Sequence, residues 1–131
     1  MELLNKYKQE IEQDLIINDF NIKEVQLKLA SRKHFWAARL IDEKIKLNSL
    51  LKRKKQLKKA LTVKIINEAP VRLTQQTAEQ AAENTDEIIS IADKIKESEF
   101  IIEYLEKVEK IMVNLHWDIK NIIDIQKMEQ L

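Results

Sequence analysis

Residues 101–123 read IIEYLEKVEKIMVNLHWDIKNII. Ile101, Leu105, Val108, Met112, Leu115, Ile119 and Ile122 recur there at alternating steps of four and three. A stripe with that period is the seam of a helix packed along another helix, over roughly three heptads. A second apolar edge, Ile88, Ile95, Ile102 and Ile111, widens it. Two helices in a hairpin bury one face of each, and a helix apolar on two sides wants more than one neighbour. The expectation is self-association through Ile101, Leu105, Val108, Met112, Leu115, Ile119 and Ile122, in a ring or bundle of copies. The alternative is a helical bundle folded back on itself.

Helical patterning extends over most of the rest. Residues 3–15 carry Leu4, Tyr7, Ile11 and Leu15 at helical spacing. Residues 16–21 (IINDFN) break the pattern, and Asn21 with Glu24 forms a capping-box signature for the next helix. That helix runs from about 22 to 66, and Pro70 stops it, because the residue before a proline is pushed out of the α region. A connection at about 67–85 contains two further start signals, Thr77 with Gln80 and Asn84 with Glu87. A last helix covers about 86–130. The expected fold is all-α and single-domain: a short N-terminal helix, then long antiparallel helices joined by a Pro-bounded loop.

Composition narrows the chemistry. The 131 residues include no Gly, no Cys and one Pro. Phosphate loops, dinucleotide fingerprints and nucleophile elbows all require glycine, so none is present. Without Cys there is no disulfide, thiol nucleophile or zinc–thiolate site, which fits a reducing cytoplasm. No apolar run reaches the ~18 residues of a membrane span, and the mixed-charge start MELLNKYKQE is unlike a signal peptide. His34 and His116 have no partner at metal-ligand spacing. No catalytic constellation, cofactor or metal site is expected, and the chain reads as a non-enzyme.

The net charge of +1 hides an asymmetry. Residues 1–43 carry net −1, residues 44–67 net +9 with no acid at all, and residues 68–131 net −7. KRKKQLKK (52–59) holds six cations in eight residues. On a helical wheel Leu40, Leu47, Leu50, Leu57 and Leu61 share a face, and Lys54 and Lys58 fall in its middle. Lysines in an apolar stripe cannot be buried unpaired. Either the helix projects from the core near residue 52, or Lys54 and Lys58 meet acids of the C-terminal half. A cationic strip suits a phosphate backbone, whose condensed counterions are released when Lys and Arg neutralise it. The candidate phosphate-contacting residues are Lys52, Arg53, Lys54, Lys55, Lys58, Lys59 and Lys64, with Arg32 and Lys33 upstream. Phe35 and Trp36 lie beside Arg32 and Lys33 and could stack unpaired bases; core packing is their simpler role, and the same holds for Trp117.

Three segments, in order and spacing, carry a resemblance: DLIINDFNI (14–22) leading into LKLASRKHFWAARL (27–40), then LLKRKKQLKKAL (50–61), then IIEYLEKVEKIMVNLHWDIKNIIDIQKM (101–128). Together they resemble the UvsY-type recombination mediators of tailed phages, over roughly residues 10–65 and 100–128. The resemblance implies a small helical protein that forms a homo-oligomeric ring, heptameric where characterised. It implies binding of single-stranded DNA without marked sequence preference, and loading of a RecA-like recombinase onto DNA covered by single-strand-binding protein in the cytoplasm of a bacterial host. The DNA-contacting positions it implies correspond to Lys54, Lys55, Lys58 and Lys59. Where many members carry a Tyr-Tyr pair and then Gly, this chain reads LTVKII (61–66), which leaves mainly phosphate contact there. Two other readings stay open: a coiled-coil adaptor whose basic strip docks on an acidic protein, and a regulator of duplex DNA, for which no helix-turn-helix is recognisable.

Overall fold

The computed structural model describes residues 1–130, and every regular element among them is helical. In chain order these are α1 (Glu2–Asp14), α2 (Ile22–Glu68), α3 (Gln75–Glu83) and α4 (Asp86–Glu129). The chain forms two compact units. Residues 1–42 with 101–131 make the first, and residues 43–100 the second, so α2 and α4 contribute to both.

In the first unit the 101–119 row packs inward. Ile101, Leu105, Val108, Met112, Leu115 and Ile119 are buried in one core with Tyr7 and Ile11 of α1 and Trp36 and Leu40 of α2. Each large aliphatic side chain removed from water there contributes on the order of 2 kcal/mol. Within one chain, the partners of this row are side chains of its own α1 and α2. Ile122 alone of the seven is half-buried. With α1 joining α2 and α4 in this core, the first unit is a three-helix packing, and of the second apolar edge Ile102 packs against it while Ile111 is exposed.

The turn into α2 also differs in detail. Asn18 and Asn21 cap reciprocally: Asn18 Oδ1 accepts from the Asn21 N–H at 3.1 Å, and Asn21 Oδ1 accepts from the Asn18 N–H at 2.8 Å. The Asn21 side-chain amide also donates to the Ile16 carbonyl at 2.7 Å. Glu24 makes no return bond to Asn21, because its carboxylate takes the Lys28 ammonium one turn on, at 2.6 Å. The box therefore sits three residues earlier than the Asn21/Glu24 spacing indicates. Ile17 and Ile22, flanking it, both pack on the core in the manner of a hydrophobic staple.

The second unit holds a smaller core of Leu50, Ile91 and Ile95, with Leu47 against it. Beside it, the buried Glu43 carboxylate (4% exposed) accepts from the Ser98 hydroxyl (1% exposed) at 2.9 Å, and the Lys46 ammonium lies at 3.8 Å. Glu43–Ser98 and Leu50–Ile91/Ile95 run in opposite chain directions, so α2 and α4 are antiparallel here. A one-turn slide of α4 would strand a buried carboxylate without its hydroxyl donor, so the pair sets the register.

The 67–85 connection contains a helix. Thr74 caps α3, accepting the Thr77 N–H on its hydroxyl at 3.1 Å, and Ala78 and Ala82 are fully buried. Thr85 rather than Asn84 accepts at the start of α4, from the Ile88 N–H at 3.4 Å. Pro70 falls in the link between α2 and α3.

Candidate nucleic-acid interface

The basic segment is helical from end to end within α2, so its cations are sorted by angle around one axis. Leu50 and Thr62 are buried, Leu57, Leu61 and Ile65 half-buried, and these define the inward side. Lys52, Arg53, Lys55, Lys59 and Lys64 are exposed. Lys52, Lys55 and Lys59 fall at steps of three and four, which places them in one row on the outward side. At ~1.5 Å rise per residue that row spans about 10 Å, and about 18 Å with Lys64. None of these five has an anionic partner among the described residues.

Lys54 and Lys58 are set differently. Both are half-buried on the inward side. The Lys58 ammonium pairs with the Glu83 carboxylate of α3 at 2.8 Å. That hydrogen bond, with the nearby charge of Glu79, raises the Lys58 pKa above its ordinary value. In return, the Lys58 hydrogen bond holds Glu83 below the ordinary carboxylate value, and the charge of Lys54 adds to this. Of the two alternatives for lysines inside an apolar stripe, the structure has the second: they face acids from later in the chain. Lys58 thus meets a phosphate in competition with Glu83 of α3.

The upstream pair is also divided. Arg32 is bound by Asp14: Nε donates to the carboxylate oxygens at 2.9 and 3.0 Å, and an Nη donates at 2.8 Å. The Trp36 indole N–H donates to the same carboxylate at 2.7 Å. The Arg32 guanidinium also lies 4.2 Å from the Phe35 ring centroid, and that of Arg39 lies 4.1 Å from it. Phe35 meets Trp36 edge-on, with ring centroids 5.1 Å apart, and Trp36 meets Tyr7 likewise at 5.9 Å. Arg32 is therefore a structural cation, and Trp36 is core (1% exposed). Among the candidate phosphate contacts, Arg32 thus differs from the exposed lysines in already having a carboxylate partner. Lys33 is half-buried in the first unit, whereas the exposed row belongs to the second. A cleft of about 670 Å³ in the first unit is lined by Arg32, Phe35 and Arg39 with Val25, Leu29 and Met112.

Core packing, the simpler role for both tryptophans, holds for Trp36 and not for Trp117. Trp117 is 54% exposed, with Lys120 Nζ 5.3 Å from its ring centroid and the His116 ring at 4.6 Å. His116 Nδ1 lies 2.8 Å from the Val113 carbonyl, which ties the imidazole to its own helix.

No group of His, Asp or Glu among the described residues is arranged to hold a metal ion, and no described helix is long and apolar enough to cross a membrane. No family model, curated protein or solved structure matches the chain.

Proposed function

We propose that the protein binds single-stranded DNA without sequence preference, as a homo-oligomer, and promotes loading of a RecA-like recombinase onto DNA covered by single-strand-binding protein in a bacterial cytoplasm. The observation that carries the DNA half of this reading is the row Lys52, Lys55 and Lys59, exposed and without carboxylate partners, flanked by Arg53 and Lys64. A solvated helix face normally interleaves acids at i+3 and i+4, which screen its cations. Here residues 44–67 supply none. Lysines act as point charges along a backbone, and residues 44–67 hold eight Lys and one Arg, Arg53, which suits phosphate contact rather than base-edge readout.

The mediator half rests on the resemblance of residues 14–22, 27–40, 50–61 and 101–128 to the UvsY-type family. The 101–119 row is buried within one chain, so the apolar side chains that support assembly in this reading are exposed ones such as Ile41, Ile45, Ile89 and Phe100. Repeating one basic row around a ring would present many weak contacts to one strand and multiply the affinity.

Chromatography on immobilised single-stranded DNA separates this reading from the adaptor reading. Retention is expected at ~150 mM salt, with elution on raising the salt, because each phosphate contact carries a counterion-release dependence. Flow-through at that salt favours a protein partner. Release by duplex competitor ahead of single-stranded competitor favours the duplex regulator.

A further inference from the structure

The basic row accounts for phosphates and leaves the bases without a partner, because the aromatic residues of α2 are occupied. Trp36 is buried and hydrogen-bonded to Asp14, and Phe35 has a guanidinium within 4.2 Å on account of both Arg32 and Arg39. Tyr7 belongs to the same core. Trp117 is the large aromatic that combines an exposed ring with adjacent cationic groups. It lies on the side of α4 opposite the buried Met112, Leu115 and Ile119, one turn from the exposed Val113. Lys120 stands 5.3 Å from its centroid, close enough to meet the phosphate of a nucleotide whose base lies on the indole. Asp124 shares that side of the helix, so it is not uniformly cationic, and the ring rather than net charge has to supply the binding.

We infer that Trp117 is a base-stacking platform for single-stranded nucleic acid, with Lys120 as its phosphate contact. The inference rests on the single-stranded DNA reading above and adds a second contact, in the first unit, of a different physical kind. Indole–base stacking needs a base face not covered by a neighbouring base pair, so the site takes single strands and not the interior of a duplex. Stacking tolerates any base, which agrees with binding that is sequence-independent.

The two tryptophans make the test direct, since the buried Trp36 serves as an internal reference. Intrinsic tryptophan emission is titrated with oligo-dT at low salt, alongside anisotropy of the dye-labelled oligonucleotide. The expected result is quenching of the Trp117 component in step with the anisotropy rise. In Trp117→Phe, binding persists and the remaining Trp36 emission is unquenched. Trp117→Ala weakens affinity by about 5- to 100-fold, the range for loss of one stacked base, with the salt slope unchanged; Lys120→Ala lowers the slope by about 0.7. DNA binding by anisotropy with unquenched emission and an unaltered Trp117→Ala overturns the stacking platform and leaves the basic row standing. Weakened binding that tracks a changed sedimentation coefficient in Trp117→Ala, with wild-type emission unquenched, overturns it in favour of an assembly contact. No anisotropy change at low salt removes the DNA reading itself, and this inference with it.

Discussion

Asp14→Ala is expected to destabilise the fold by about 2–4 kcal/mol. One carboxylate there serves two groups: it neutralises the Arg32 guanidinium through three short contacts and accepts the Trp36 indole N–H at 2.7 Å. Trp36 is 1% exposed, so truncating Asp14 leaves its N–H without its protein acceptor in a largely buried place. Arg32 keeps a third of its side-chain surface and can be partly solvated, which holds the cost below that of a fully buried broken pair. Thermal unfolding should fall by roughly 6–12 °C for a chain of this size. Asp14→Asn should recover part of the loss, because an amide oxygen still accepts from Trp36, while the charge on Arg32 stays uncompensated. Near-UV circular dichroism of Trp36 would follow both. A loss below about 0.5 kcal/mol, the scale of an ordinary surface substitution, would show that the network is not formed.

The double variant Glu79→Gln/Glu83→Gln is expected to bind single-stranded DNA more tightly than wild type, by about 3- to 10-fold at low salt, with a slope steeper by about 0.7 to 1.4. Glu83 holds Lys58 at 2.8 Å, and the charges of Glu79 and Lys54 reach the same pair. Neutral amides preserve shape and hydrogen bonding, and Ala78 and Ala82 keep α3 seated, so the change is to charge and not to fold. The contact also has a defined pH range. Glu83 titrates below its ordinary value of 4.5, so the ion pair is present above that value and is lost as pH falls through the depressed one. The contrast between wild type and variant should therefore be constant from pH 8 down to about 5 and close only in more acid solution. Unchanged or weaker binding by the variant would mean that α3 does not restrain the strip.

How far the sequence carries can be judged from particular residues. The 4–3 alternation from Ile101 to Ile119 marks a buried helix row, because the periodicity of burial is local. Which surface buries it is not local: α1, a helix of 13 residues, supplies Tyr7 and Ile11 from the far end of the chain. The Lys54/Lys58 conflict with the leucine stripe was legible as a conflict, and acids of the later chain were one of its two resolutions. The identity of Glu83 was not, because α3 lies in a stretch with two weak start signals and its actual cap is Thr74. Asp14, Glu43 and Ser98 looked like ordinary polar residues. Their burial follows from pairings across 18 to 55 positions, which no short-range pattern encodes. Trp36 and Trp117 carry the opposite lesson. Core packing was the simpler role for both, and their positions relative to the rows Trp36–Leu40 and Met112–Leu115–Ile119 separate them: Trp36 shares the buried face with Leu40, and Trp117 lies opposite the buried row.

The most direct test of the central claim is the affinity for a single-stranded oligonucleotide as a function of salt, for wild type and for Lys52→Ala/Lys55→Ala/Lys59→Ala. These three side chains are exposed and unpaired, so their removal should leave thermal stability within about 0.5 kcal/mol. If the row contacts three phosphates, log K falls with log[salt] at a slope of about −2 or steeper in wild type. The triple variant then loses about 2 from the slope and at least about tenfold in affinity at low salt. A wild type that does not bind at low salt, or a triple variant with the wild-type slope, would contradict the assignment of this row to DNA.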